Sequence, residues 1–377
     1  MPLKIMIKIV GLASACFLFT EAPSRAATDE ANLIGESIMS ELPIPALSVA
    51  VYADGGIAWS RAYGTASIEL DVPATVDHRF RLGSVSKIVT ASLAARMVDQ
   101  GLVDLDAPIV RYLPELPEHH HSTTLRQLLG HLGGIRNYNR ADFDLLAPGS
   151  VIDLRIYPDT ESALSLFIND PLIAPAGTTY SYSTFGYTLV SAVLESAGNA
   201  SFSDLLSQYI TEPLSLESLQ TDRLFDLRPG RVSLYDLGDV YRQRIDPTIT
   251  DDIVNALSNN PAYKWAGGGL IATPSDLARF GAAFIESGFL TSMTYTEVFT
   301  VQNSDSDNAI RVGLGWRVDH DSAGRLRYHH AGEQQGARSV LIVYPEHDVV
   351  IAMMSNLGGI PQDILSAAAS MAETFID

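Results

Sequence analysis

Apolar residues recur with two different spacings along this chain of 377 residues, and they divide it into strand-like and helix-like segments. Apolar runs at residues 46–52 and 56–62 predict two strands, and the Asp54-Gly55 turn between them predicts a hairpin. Helical spacing begins at Ser84 and ends at Gly101. After a first helix at about residues 31–40, the chain should therefore form a hairpin followed by a helix.

The rest of the chain contains a helical middle and a strand-rich end. Residues 104–287 mix helical segments, at 162–167 and 186–197, with loops rich in Pro, Gly and Asp. Strand-like runs follow at 314–318, 326–329, 339–343 and 349–354, and a closing helix is predicted at 361–375. Strands at both ends predict an α/β (α+β) fold, in which an antiparallel sheet from both termini is flanked by helices and carries an inserted, mostly helical lobe.

The first residues have the organisation of a secretory leader, with Lys4 and Lys8 before an apolar run at 9–19 and small residues after it. The run is shorter than the ~20 apolar residues that span a bilayer core. We therefore expect export to the periplasm or the exterior, without stable membrane insertion once the leader is removed. Lipoprotein anchoring through Cys16 is the less favoured alternative, because Ala13, three positions before the cysteine, fits a lipoprotein signal poorly.

Composition narrows the possible partners. The formal net charge is −19, so the chain repels phosphate backbones and nucleic acid is not an expected partner. Cys16 is the only cysteine, and its removal with the leader excludes disulfides and thiol chemistry. Lys87 and Lys264 are the only lysines outside the leader.

The candidate nucleophile lies at the start of the helix that follows the hairpin. Ser84 and Lys87 form a Ser-x-x-Lys motif, and positions i and i+3 share one helical face, so the amine can reach the hydroxyl. A neutral lysine accepts the serine proton, and burial favours that neutral form. The helix N-terminus offers an amide donor to an oxyanion. Ser86 faces elsewhere, so Ser84 is the predicted nucleophile.

Further motifs follow in a fixed order. They are a Tyr-Ser-Thr triplet at 182–184, a His-Ala-Gly triplet at 330–332, and glycine-containing segments at 131–135 and 266–270. Together with the Ser-x-x-Lys motif, they resemble the serine beta-lactamase-like hydrolases related to class C beta-lactamases and D-Ala-D-Ala carboxypeptidases. In detail they are similar to the subgroup that includes the mitochondrial beta-lactamase-like protein. The resemblance covers about residues 45–356.

The resemblance implies a beta-lactamase/transpeptidase-like fold and a covalent acyl-enzyme mechanism. Ser84 would be acylated, and Lys87 would activate it. Tyr182 would share the proton relay, helping to protonate the leaving group and to activate the deacylating water. The backbone N–H groups of Ser84 and Glu333 would form the oxyanion hole.

The resemblance places substrate contacts at Thr184, His330 and Gly332, and two of these depart from the family pattern. The family often has Asn where this chain has Thr184, and a hydroxyl offers fewer contacts than an amide. Class C enzymes have a lysine in place of His330, which is mostly uncharged at neutral pH unless its pKa is shifted. We therefore expect short esters to be better substrates than beta-lactams. A register shift of one residue would turn His329 inward instead.

No metal or cofactor is expected. The His-His-His run at 119–121 lies in a polar loop without a second cluster of ligands, and no phosphate-binding loop is present. His131 is expected to brace a loop.

The predicted function is a serine hydrolase of small esters or peptides. A beta-lactamase or D,D-carboxypeptidase remains an alternative, as does a non-catalytic scaffold or binding protein of the same fold.

These inferences divide the chain into a leader and one folded domain. Residues 1–27 would be a signal peptide, and residues 28–377 a single beta-lactamase-related catalytic domain. Within that domain, the sheet lobe would comprise about residues 28–80 and 288–377, and the helical lobe about residues 81–287.

Overall fold

The structure is a computed structural model that describes residues 24–143, 151–302, 311–360 and 364–376. The helices are α1 Arg25–Glu41, α2 Ser86–Asp99, α3 Leu125–Leu129, α4 Thr160–Leu164, α5 Thr184–Gly198, α6 Phe202–Leu206, α7 Gly238–Arg244, α8 Trp265–Gly268, α9 Pro274–Ala282, α10 Ser292–Phe299 and α11 Ile364–Glu373. The strands are β1 Ala46–Ala53, β2 Gly56–Ser67, β3 Val72–Pro73, β4 Phe80–Arg81, β5 Gln220–Thr221, β6 Tyr235–Leu237, β7 Ile253–Asn255, β8 Leu270–Ala272, β9 Arg317–His320, β10 Leu326–Gln334, β11 Ala337–Tyr344, β12 Val349–Ser355 and β13 Leu357–Gly358. Most of the predicted leader, and the first three residues of the predicted closing helix, lie outside the described residues.

Both ends of the chain contribute to the main sheet. Its seven strands run in the order β3-β2-β1-β12-β11-β10-β9. The join is the antiparallel pair β1 and β12, in which Val49 lies opposite Met353. Most of the helices come from the segment between β4 and β9. The predicted fold class, an antiparallel sheet from both termini with helices on it and an inserted helical segment, is therefore confirmed.

The first hairpin has the predicted turn. Asp54 and Gly55 both have positive φ, at 52° and 78°. Positive φ at both central residues defines a type I′ turn, whose twist matches that of the paired strands. The turn thereby fixes the register of β1 against β2.

The central strands of the main sheet, β1, β11 and β12, are buried on both faces. Along β1, Ala50 and Tyr52 pack against the helical segment, whereas Val49 and Val51 belong to a second core with α1 and α11. This alternation follows from the two-residue period of a strand, and full burial of each such aliphatic side chain contributes about 1.5–3 kcal/mol. Two cores hold the sheet rigid, and the candidate site lies where its outer strands meet the helices.

Two predicted boundaries are wrong. The apolar run at 314–318 is mostly a turn, because Gly315 has a φ of 78° and Gly313 N donates to Trp316 O at 2.8 Å. Strand β9 begins only at Arg317. The helix predicted at 162–167 is α4, which starts earlier because the Asp159 carboxylate caps it. Of the helices in the described ranges, none has the length and apolar character that crossing a membrane requires.

Candidate active site

Ser84 lies in a short 3-10 helix, Gly83–Val85, that continues directly into α2. Gly83 has a φ of 48°, and a Cβ atom there would lie 2.7 Å from the backbone nitrogen of Glu333. Glycine satisfies both constraints, the left-handed backbone and the close approach. The backbone before the serine therefore lies directly against β10, and the serine itself stays partly exposed.

Gly332, on β10, lies equally close to the backbone that leads into Ser84. A Cβ atom on it would lie 2.0 Å from Leu82 O and 3.0 Å from Ser84 N, and Ser339 Oγ donates to Leu82 O at 2.6 Å. Two glycines thus let the backbones of Ser84 and Glu333 come together. A pair of neighbouring N–H groups beside a nucleophile is the arrangement that stabilises an oxyanion.

Lys87 is completely buried one helical turn after Ser84. Its Nζ lies 3.3 Å from Ser84 Oγ, 3.1 Å from Thr184 Oγ1 and 2.6 Å from the carbonyl oxygen of Gly267. Within the described residues it has no carboxylate partner. Burial lowers its pKa to about 7. A substantial fraction of the amine is therefore neutral at neutral pH and able to accept a proton.

Tyr182 covers Lys87, with the lysine Nζ 4.7 Å from the centre of the tyrosine ring. Burial raises the pKa of Tyr182 to about 12, although a hydrogen bond with Ser84 partly offsets it. The phenol therefore keeps its proton at neutral pH and can donate it. The chain is fixed here by Ser183, whose side chain caps α5 by accepting from Gly186 N at 2.9 Å.

His131 braces the tyrosine from behind, as expected. It adopts a φ of 61°, which is uncommon for a residue with a side chain, and its ring lies 4.4 Å from that of Tyr182. Its Nδ1 accepts from Ser183 N at 3.2 Å, so the proton of the neutral ring is on Nε2. Burial, followed by the nearby charge of Lys87, lowers its pKa well below the usual value. This neutral ring holds the tyrosine segment in place.

Thr184 is buried and its hydroxyl contacts Lys87, so it lies on the lysine side of the site. Its backbone N–H donates to Asn137 Oδ1 at 3.1 Å. Sequence reasoning missed Asn137, which brings a side-chain amide next to the position where the family often has asparagine. Asn137 reaches this position only because its segment packs against the start of α5, which is 47 positions away in the sequence.

His330 is the histidine that faces Tyr182, with ring centres 6.3 Å apart. The register of β10 therefore turns His330, and not His329, towards the tyrosine. Its Nδ1 donates to Ala331 O at 2.6 Å. Burial, reinforced by the charge of Lys87, lowers its pKa to about 3, so the ring is neutral. His329 has a different partner, Asp319, whose Oδ2 lies 3.1 Å from its Nε2.

A cavity of about 250 Å³ opens beside this histidine. Its lining comprises Tyr182, Arg317, His329, His330, Ala331 and Leu365. Arg317 was missed in the sequence because it stands at the end of an apolar run. Antiparallel pairing of β9 with β10 places it opposite His329 at the edge of the main sheet, where it lines the cavity together with Tyr182 and His330. The signal that could have found it is a basic residue on the strand before the His-Ala-Gly triplet.

The histidine run at 119–121 has structural contacts. His120 Nε2 lies 2.8 Å from Ile168 O, and His121 Nε2 lies 2.9 Å from Leu116 O. Across the described ranges, no three His, Cys, Asp or Glu side chains are grouped as they would be to hold a metal ion.

A Ser-x-x-Lys pair under a tyrosine, on a sheet built from both termini and flanked by helices, defines an acyl-transferring serine hydrolase. The family model described as Beta-lactamase matches residues 35–374. The chain belongs to this beta-lactamase family, as the resemblance predicted.

Individual relatives agree with this assignment. The chain is 27% identical over 395 residues to the Serine beta-lactamase-like protein LACTB, mitochondrial, of Homo sapiens, a match that covers 82% of this chain and 70% of that protein. It is 30% identical over 179 residues to Esterase EstB of Burkholderia gladioli, covering 45% of each. The solved D-amino acid amidase from Ochrobactrum anthropi SV3 has the same fold, with a TM-score of 0.77 at 19% identity over 92% of this chain and 98% of the amidase.

Proposed function

We propose that this hydrolase cleaves small esters or peptides through an acyl-enzyme on Ser84. The observation that carries the proposal is the state of Lys87, whose Nζ lies 3.3 Å from Ser84 Oγ and whose pKa burial lowers to about 7. A base poised near the working pH is both partly deprotonated and strong enough to accept a proton. The partly exposed serine leaves room for an acyl donor.

The proposed reaction has two halves. Lys87 Nζ accepts the Ser84 proton as Oγ bonds to the acyl carbon, and the N–H groups of Ser84 and Glu333 stabilise the oxyanion. Tyr182 gives its proton to the departing alcohol or amine and regains one from Lys87. A water molecule then attacks the acyl carbon, its proton passes to the same pair, and Ser84 Oγ leaves as a hydroxyl.

The preference for esters or peptides over lactams rests on the neutral state of His330 and on the engagement of Thr184 with Lys87. Neither side chain offers the contacts that a lysine and an asparagine would give to a lactam carboxylate and amide. The similarity to a protein named as an esterase, and the shared fold with an amidase, support this range. Lactam or D,D-peptide substrates are the alternative.

We also propose that residues 28–377 form one catalytic domain with the two lobes given above, and that residues 1–27 direct export to the periplasm or the exterior. The second part rests on the leader-like sequence alone. The mitochondrial location in the name of the human relative is the competing possibility.

A fluorophosphonate probe tests the nucleophile. We expect the folded protein to be labelled, and Ser84→Ala to abolish both labelling and ester turnover. Ser86→Ala is the matched control, because Ser86 lies in the same turn but its hydroxyl accepts from Leu270 N at 3.1 Å. Labelling that survives in Ser84→Ala would refute the assignment. Absence of labelling in the folded wild-type protein would favour the scaffold alternative.

A further inference from the structure

A bridge of polar side chains joins the two backbone segments that supply the proposed oxyanion hole. Arg81 lies on β4, shortly before Ser84, and Gln335 lies in the turn between β10 and β11, shortly after Glu333. Asn259 stands between them, because its Oδ1 accepts from Arg81 and its Nδ2 donates to Gln335 Oε1 at 3.0 Å. A longer contact of 3.5 Å joins Arg81 directly to the carbonyl oxygen of Gln335.

Both ends of this bridge are anchored on buried charges. Asp222 accepts from Arg81 Nε at 2.7 Å, and Asp153 Oδ2 accepts from Gln335 Nε2 at 2.8 Å. A guanidinium only donates and a carboxylate only accepts, so the two charges also determine which way the amides of Asn259 and Gln335 point. Gln335 is partly exposed, and the other four side chains are buried. Hydrogen bonds in such a dry environment hold their groups firmly.

The proposed oxyanion donor Glu333 lies between two connections from β10 to the segment before the nucleophile. On one side, Gly332 lies against Leu82, whose carbonyl oxygen accepts from Ser339 Oγ at 2.6 Å. On the other side stands the bridge at Gln335. A strand that is held at one point can pivot about it, whereas a second point also fixes its direction. The bridge therefore limits how far the Glu333 N–H can move.

We infer that Gln335 is a positioning residue, which holds the Glu333 N–H at its place beside Ser84. This inference rests on the proposed function and adds to it a residue that does not touch the substrate. Donors of an oxyanion hole act because they are already aimed at the place where negative charge develops in the transition state. A small pivot of β10 should therefore slow acylation even though Ser84 and its base are intact.

Gln335→Met tests the inference, because it keeps the length of the side chain and removes both of its hydrogen bonds. We expect kcat/KM for p-nitrophenyl acetate to fall about 10- to 100-fold, less than the roughly 10²- to 10³-fold for complete loss of one oxyanion donor. The Ki of phenylboronic acid should rise by the same factor, since its tetrahedral adduct with Ser84 places an oxygen in the same hole. A purely structural role would lower the free energy of unfolding and leave both values of the folded protein unchanged.

Gln334→Met is the matched control, because it removes the neighbouring amide from the same hairpin. Both polar atoms of the Gln334 side chain are buried, and neither has a hydrogen-bond partner among the described residues. This variant should leave kcat/KM and the Ki unchanged. Equal changes in the two methionine variants, no change in either, or a fall in kcat/KM of Gln335→Met without a rise in the Ki would each overturn the inference while the proposed function stands.

An exchange of charge gives a second test that does not need the methionine variant to fold. Gln335→Glu places a second carboxylate beside Asp153 and should lower kcat/KM at least as much. Combining it with Asp153→Asn returns a donor to that contact, so kcat/KM and the Ki should recover in part. A folded double variant without recovery overturns the inference. Failure of the folded wild-type protein to cleave the ester, or cleavage that survives in Ser84→Ala, overturns the proposed function and this inference with it.

Discussion

The two lysines of the folded chain occupy neighbouring environments with opposite electrostatic character. Lys87 is surrounded by two hydroxyls and a carbonyl, and no carboxylate of the described ranges contacts it. Lys264 is also buried, but its Nζ lies 3.8 Å from the carboxylate of Asp153. Burial lowers the pKa of both lysines, and for Lys264 the charge of Asp153 opposes this effect. The counterion is what distinguishes them.

The region around Lys264 is a closed polar network. Asp153 also accepts from Tyr263 OH and from Gln335 Nε2, both at 2.8 Å, and Gln335 Oε1 accepts from Asn259 at 3.0 Å. A buried charge of this kind is stable only while its partners remain. The Lys87 region instead keeps an amine without compensation, which costs stability but preserves a base. The same residue type is therefore suited to structure at one position and to catalysis at the other.

Removing each amine should separate these two uses, and the larger effect on rate belongs to Lys87. Replacement by Met keeps the length and apolar stem of the side chain but eliminates the base. We expect kcat/KM for a short ester to fall by about 10²- to 10⁴-fold. The free energy of unfolding, measured in urea, should stay the same or rise, because a desolvated amine is lost. Near-normal turnover in the folded variant would show that another group is the base.

Lys264→Met should have the opposite effects. It leaves the Asp153 carboxylate buried without its cation, and breaking one half of such a pair costs about 3–5 kcal/mol of folding stability. We expect kcat/KM of the remaining folded protein to change by less than about tenfold. Adding Asp153→Asn should recover part of the stability. A large loss of turnover with unchanged stability would mean that the two lysines act together in catalysis.

Local sequence features were sufficient for the fold and for the central pair. Strand and helix periods, and the i to i+3 spacing of Ser84 and Lys87, depend on residues close together in the chain. Arg317 and Asn137 reach the site only through strand pairing and loop packing, which the order of motifs does not specify. The same holds for the partner of Lys264, since Asp153 is more than a hundred positions away. The limits of β9 were misjudged because a buried aromatic turn has the apolar composition of a strand.

A further prediction concerns the pH at which Lys87 works. The reaction needs the neutral amine, so kcat/KM should fall about tenfold per pH unit below a pKa of about 7 and level off above it. The unfolded chain, with an ordinary lysine pKa near about 10.4, binds more protons than the folded chain between these values. Stability should therefore rise with pH over that window, and this contribution should vanish in Lys87→Met.

Thr184→Val tests how the hydroxyl of Thr184 contributes to this pH dependence. The hydroxyl accepts a hydrogen bond from Lys87 Nζ at 3.1 Å and so favours the ammonium form. Without it the pKa of Lys87 should fall further, and the acid limb of kcat/KM should move about half to one pH unit lower, as expected for about 0.5–1.5 kcal/mol. Valine keeps the shape of the side chain, and Ser84→Ala gives the background rate. If the limb stayed in place while KM rose for an amide substrate, Thr184 would contact the substrate, as the family resemblance implies, and would not tune the lysine.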